Sequence, residues 1–372
     1  MRRIGALDGL RVVAALMVAL YSYVSRPQDI VAVWGVPSAT IFPYLHGFTK
    51  YGWLGIDLFF LVSGFVICLS STGKDPAAFF RSRAIRLFPA FWPSVLITAI
   101  VLHLWPVVVP QVRASDMLTN LTLLHQPVGA ASVDGVYWTL WTEVRFYLLF
   151  ALLLWRGFTQ QRATIFAYAW LIAAAVAVSS GERWLLIVLQ PTYAPLFVAG
   201  IAFALIHRYG SSLPLWGLVA ASFLLAQNNL VQRAAGVAES AVRSPLSAPV
   251  TIAVEAAFFA ALAVIAIKAK APAVAADGTG AERHWLTTAG LVTYPFFLLH
   301  TVLGWTVIHF LHDRLPPSVV LAGVLTLMAV AAWLVHYVIE RPVAAALRAR
   351  LPKPAPATES QKAIEGQKAE PQ

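Results

Sequence analysis

The sequence predicts an all-α protein: a polytopic membrane helical bundle of about ten transmembrane helices, with both termini in the cytoplasm. Three observations lead there. Of 372 residues, 59% are hydrophobic and only 12% are charged, and the mean hydropathy is +0.72; soluble domains average about 25% charged. Apolar runs able to cross about 30 Å of hydrocarbon, roughly 20 residues each, recur ten times. Lys and Arg are also unevenly distributed. With the N-terminus inside, nineteen of the 27 fall on inner segments and seven on outer ones, the positive-inside bias. The net charge of +10 is thereby explained by topology, and nucleic acid is not expected as a partner. The composition excludes a disordered chain. The lone Cys68 excludes a disulfide framework or a Cys-based metal cluster, and no metal site or permanently bound cofactor is expected.

The first span lies near 10–25, after Arg2 and Arg3. It begins like a signal peptide, but residues 21–27 offer no small-x-small cleavage site, so it reads as a retained helix. Spans near 51–71 and 88–109 follow, with Lys74, Arg81, Arg83 and Arg86 between them. The fourth, near 137–155, contains Glu143 and Arg145. The rest lie near 164–180, 184–206, 213–227, 249–267, 286–311 and 318–339. The loop 271–284, with Gly278 and Gly280, reads as a flexible connection. Residues 1–345 form the membrane domain. Residues 346–372 form a cytoplasmic tail that reads as disordered, being rich in Pro, Lys, Glu and Gln from Leu351 onward.

Polar groups at bilayer depth are costly and mark cavities. Arg11 and Ser22 are eleven residues apart, so they share a helix face about 16 Å apart in height. Asp57, Glu143 and Glu255 each lie six residues inside their spans from the outer end, about 9 Å deep. His300 is about 18 Å up the ninth span from the inner end. Ser22, Asp57, Glu143, Glu255 and His300 therefore occupy one layer, which predicts a shared polar chamber. Glu143 and Tyr147, at i and i+4, share a face, whereas Arg145 points elsewhere. Each group also has a structural reading: Ser22 on its own backbone, Asp57 in a bundle ion pair, His300 as a packed histidine. On the inner side Arg83 and Arg86, at i and i+3, can bind phosphate bidentately or anchor the chain to anionic lipid.

Six segments then carry a resemblance. They are Leu7-Asp8-Gly9-Leu10-Arg11; the stretch from Gly55 through Asp57 to Phe65; Arg83-x-x-Arg86-Leu87-x-Pro89; Trp138 through Glu143 to Tyr147; Thr293-Tyr294-Pro295 through His300; and Glu340-Arg341-Pro342. Together, in this order and over about residues 3–343, the sequence resembles the acyltransferase 3 family of integral membrane O-acyltransferases. The resemblance implies a bacterial multi-pass inner-membrane enzyme. Such an enzyme moves an acyl group, usually acetyl, from acyl-CoA to a hydroxyl of a cell-surface or exported polysaccharide or lipid-linked sugar. It implies that Arg83 and Arg86 engage coenzyme A and that Arg11, Glu143 and Tyr147 belong to the family's first- and fourth-helix motifs. One position departs: where the family has an Arg, ten residues and then His, this chain has Ser22. Serine is a poor general base. His300 is the first substitute, being in the same layer, and Glu143 the second. Direct transfer is expected, with Arg11 near developing charge; a Ser22 acyl-enzyme would need its own base. Two other classes stand beside this reading. A non-catalytic relative would bind a glycan lipid or a complex. A transporter or flippase would use the carboxylates as a proton path, but no repeat symmetry supports it.

Overall fold

The computed structural model describes residues 4–26, 30–240, 246–268 and 280–350. Arg2, Arg3, Arg243, Lys270, Gly278 and the tail from Leu351 lie outside them. Ten α-helices of sixteen residues or more are present among the described residues, and no strand. They are α1 (Gly5–Leu20), α2 (Gly55–Ser70), α3 (Pro76–Leu104), α4 (Trp138–Trp155), α5 (Gln160–Ser180), α6 (Ala194–Tyr209), α7 (Leu213–Ser240), α8 (Ala248–Lys268), α9 (Gly280–Leu311) and α10 (Pro317–Leu334). Eight spans among the described residues are long and apolar enough to cross a membrane. The expectation of ten adds α4 and α7. The first carries Glu143 and Arg145 within eighteen residues, and the second is polar beyond residue 226.

α6 is the central helix: every residue from Ala194 to Ile206 is buried, as expected of a helix apolar on all sides. It meets α2 backbone to backbone. A Cβ at Gly64 would overlap the Phe197 carbonyl, and one at Gly200 the Leu61 carbonyl; only glycine permits that approach. α5, α7 and α8 pack around α6, while α1 lies between α2 and α9. The periphery shows Leu148, Leu152, Ile172, Leu224, Val264 and Leu327 to the outside, a surface suited to lipid rather than water.

Several boundaries differ from the sequence reading. The third helix begins at Pro76, capped by Asp75, whose carboxylate accepts from Ala78 N at 2.7 Å. The arginines at 81, 83 and 86 therefore sit on the helix and not in a preceding loop. The sixth span is broken. A short helix, Arg183–Leu189, stops at Gln190 with φ of 52°; Pro191 follows and cannot continue it. The seventh span, expected to end at 227, continues through Arg233 to Ser240, so Arg233 lies on a helix rather than in an outer loop. The ninth helix begins at Gly280, so residues 280–284, expected in a flexible loop, are helical. At the chain's end, π-helical Val335–Glu340 joins α10 to a helix, Arg341–Arg350, so residues 346–350, expected in a disordered tail, are helical too.

Candidate active site

α1, α2, α3, α4 and α9 enclose a cavity of about 120 Å³. That is room for a small acyl group, since a water occupies about 30 Å³. Arg11, Arg83 and Arg86 line one end. Glu143, Tyr147 and Ser63 stand inside it, and Phe59 and Phe297 line it as well, in an edge contact with ring centroids 5.3 Å apart. The i, i+4 spacing of Glu143 and Tyr147 does place both on the cavity face. Tyr147 stands within electrostatic reach of Glu143, and Ser63 Oγ donates to Glu143 Oε1 at 2.9 Å. Arg145 points away: its Nη1 donates to Ile187 O at 2.7 Å and its Nη2 to Thr142 Oγ1 at 3.1 Å.

The three arginines are held differently. Arg86 Nη1 donates to Glu340 Oε1 at 2.7 Å, and the other oxygen of Glu340 is 2.7 Å from His336 Nδ1. Glu340 and His336 both sit in the π-helical turn, a local geometry frequent at functional sites. Arg83 bonds neutral hydroxyls, Ser70 Oγ at 3.3 Å and Ser82 Oγ at 3.4 Å. No carboxylate pairs with it among the described residues. Arg11 Nη1 lies 3.5 Å from Asp8 Oδ1. In the loop before α3, burial and then the Arg83 charge hold the Lys74 ammonium below its usual range. Cations so crowded favour an anion at this end.

Ser22 and His300 meet in a second place. The expectation that they share a height holds, and Ser22 Oγ is 3.4 Å from His300 Nε2. Both are buried, and neither lines the cavity. The His300 ring packs against Phe296 and Phe297, so the pair lies behind the Phe297 ring. The loop before α4 reaches the same place: Asp134 accepts from Val302 N at 3.1 Å and stands beside Thr301. Burial pushes the Asp134 carboxyl up to about 6.

Asp57 is in a third place. Its Oδ2 accepts from Arg233 Nη1 at 2.9 Å, and the guanidinium carbon lies 4.9 Å from the ring centroids of both Trp53 and Tyr193. Glu255, 1% exposed, lies within electrostatic reach of both charges, and its Oε2 has no hydrogen-bond partner. The predicted single chamber is therefore corrected. The five polar groups share a layer but divide into a cavity carboxylate, a Ser–His pair and an ion-paired cluster. Rise per residue fixes height and not direction around the axis.

Sequence reasoning missed Ser63, Arg233, Asp134 and Thr301, and gave Glu340 no role. Ser63 and Glu340 stood inside quoted motifs. Arg233 was assigned to a loop because the apolar run ends before it. Among the described residues no group of three or more His, Cys, Asp or Glu is placed to hold a metal.

Comparison with known proteins agrees with the motifs. Residues 4–337 match the acyltransferase 3 family, described as an acyltransferase domain. The chain belongs to the acyltransferase 3 family. Among curated relatives, Acyltransferase MdmB of Streptomyces mycarofaciens is 29% identical over 259 residues, 60% of this chain and 62% of that protein. The O-acetyl transferase of Shigella phage Sf6 is 33% identical over 102 residues, 26% of each chain. Exopolysaccharide production protein ExoZ of Rhizobium meliloti is 30% identical over 116 residues, 28% of this chain and 35% of the relative. The alignments thus span less than two thirds of these relatives. No solved structure matches the chain. Membership of the acyltransferase 3 family supports transferase activity in general.

Proposed function

We propose that the protein is a membrane O-acyltransferase. It moves a small acyl group, acetyl first among them, from acyl-CoA to a hydroxyl of a cell-surface or exported polysaccharide or lipid-linked sugar. The observation that carries this reading is the cavity. Three arginines line a space that also holds Tyr147 and a carboxylate, Glu143, hydrogen-bonded by Ser63. Guanidinium groups suit the phosphates of coenzyme A, and the volume suits an acyl thioester. The names of the relatives, an O-acetyl transferase and an exopolysaccharide production protein, support the acceptor class.

In this reading ten helices cross a bacterial inner membrane, with both termini cytoplasmic. The membrane unit covers residues 1–345 and the tail 346–372. The arginine end then faces the cytoplasm, where acyl-CoA is made. Arg83 and Arg86 hold phosphate, Arg11 stands near developing negative charge, and Glu143 with Tyr147 orients the thioester. His300 takes the hydroxyl proton. The family pattern has a histidine where this chain has Ser22, and His300 Nε2 lies 3.4 Å from that serine; the opposite helix supplies the imidazole. This favours a catalytic protein over a binding relative. Asp57 holds α2 to α7 through Arg233 and takes no part in the chemistry.

Acetyl-CoA titration of the purified protein in lipid nanodiscs tests the reading. Wild type should bind, and Arg83→Ala should bind more weakly by about 10-fold or more, since a charge-assisted phosphate contact is worth about 1.5–3 kcal/mol. Equal affinity in wild type, Arg83→Ala and the Arg83/Arg86 double variant would reduce the arginines to a membrane anchor.

A further inference from the structure

We propose that Ser22 is a nucleophile that carries the acyl group as an ester between the CoA thioester and the acceptor hydroxyl, with His300 as its base. This rests on the acyl-CoA reading of the cavity. A serine hydroxyl alone is a weak nucleophile and needs an adjacent base. Here the base is present. His300 Nδ1 lies 2.8 Å from the Phe297 carbonyl, which can only accept, so Nδ1 carries the ring proton and Nε2 the lone pair. Two hydroxyls approach that lone pair, Ser22 at 3.4 Å and Thr301 at 3.1 Å. The Thr301 hydroxyl stands beside the Asp134 carboxyl, an electrostatic partner that draws the Thr301 proton toward itself. Nε2 is left to accept the proton of Ser22.

The backbone on each side is fixed by the other helix. Ser22 stands in the π-helical turn Tyr21–Ser25 that ends α1, where carbonyls lose their helical partners. Its carbonyl accepts instead from Trp305 Nε1 at 2.8 Å, and that of Tyr23 from Trp34 Nε1 at 2.7 Å. Tyr23 in turn donates its hydroxyl to the His300 carbonyl at 2.6 Å. Gly304 leaves the space for it, since a Cβ there would overlap the Tyr23 ring. The ring of Phe297 touches both: it lines the cavity and lies 5.7 Å, centroid to centroid, from the His300 ring, so the acyl-enzyme route requires this ring to move aside.

The chemistry balances without a further reactant. Ser22 Oγ attacks the thioester carbonyl carbon as His300 Nε2 takes its proton. The carbon–sulfur bond breaks, and the proton passes to the sulfur, releasing CoA as the thiol. The acceptor hydroxyl then attacks the Ser22 ester carbonyl while His300 takes its proton. The bond to Ser22 Oγ breaks, and His300 returns the proton to that oxygen.

The test uses the full-length protein in nanodiscs with acetyl-CoA radiolabelled in the acetyl group and no acceptor. Wild type should release CoA thiol in a burst stoichiometric with protein. Label should stay on the denatured chain, on the peptide containing Ser22, and resist neutral hydroxylamine. Ser22→Ala should carry no label and still bind acetyl-CoA. His300→Gln should slow the burst by about 10²–10⁴-fold, the usual loss for a general base. Ser22→Cys should make the label a thioester, sensitive to neutral hydroxylamine, a change that a merely packed serine would not cause. Unlabelled wild type that binds acetyl-CoA, or label retained in Ser22→Ala, overturns the acyl-enzyme and leaves the donor reading standing. Absence of acetyl-CoA binding overturns both.

Discussion

Replacing Asp57 and Arg233 in turn separates a catalytic from a structural carboxylate. The Asp57 side chain has no exposure, and Arg233 is held between two aromatic rings. Removing one partner of a buried pair strands the other and typically costs about 3–5 kcal/mol. The two removals are not equivalent here. Glu255 stands within reach of the guanidinium with one oxygen unpartnered. In Asp57→Ala it can take over the arginine, so the cost falls toward or below the lower figure. Arg233→Met leaves two carboxyls without a cation and also loses cation–π contacts worth about 0.5–2 kcal/mol. The expected order of thermal midpoints in detergent is wild type, then Asp57→Ala, then Arg233→Met. The double variant Asp57→Leu with Arg233→Met should recover much of the loss, because a buried pair exchanged for apolar groups is often neutral. Acetyl-CoA affinity per folded molecule should be unchanged throughout. An Asp57→Ala protein with the wild-type midpoint but no acyl transfer would refute this reasoning and return Asp57 to the reaction.

Three further outcomes are expected. Arg86→Ala should lower thermal stability by about 1–3 kcal/mol, because Glu340 is 5% exposed and loses its charged partner; Arg83→Ala should not, and adding Glu340→Gln to Arg86→Ala should restore much of the difference. A reporter fused after residue 75 should read cytoplasmic and one near residue 120 external; the reverse would place the arginines outside, away from acyl-CoA. Asp134, facing Arg26, Tyr23, Tyr137 and Thr301, is raised by burial from 3.8 to about 6. The folded state therefore holds the extra proton between those values, its stabilising effect is full below 3.8, and it is lost as pH rises through about 6. That amounts to about 3 kcal/mol. Melting midpoints from pH 4 to 7 should fall less with pH in Asp134→Asn than in wild type; parallel curves would contradict the assignment.

The sequence by itself determined the class of molecule and the height of its polar groups. Apolar runs and sparse charge dictate helices in a bilayer, because only hydrogen-bonded helices satisfy the backbone there. Spacing put Glu143 and Tyr147 on one face, and both line the cavity. Counting residues put Ser22 and His300 at one level, and they touch. The same counting put Asp57 and Glu255 at that level too, and they are elsewhere. Which way a helix turns its side chains depends on its neighbours: on the glycines that let α2 meet α6, and on the tryptophans that hold the turn after α1. Arg233 was invisible as a partner because its polar stretch of α7 is stabilised by Asp57 across the bundle, not by its own hydropathy. Glu340 was visible as a motif but not as the support of Arg86, 254 residues away in sequence. A fixed rise per residue makes depth a property of the chain alone. Rotation about each axis is a property of packing, and only the tertiary structure decided it.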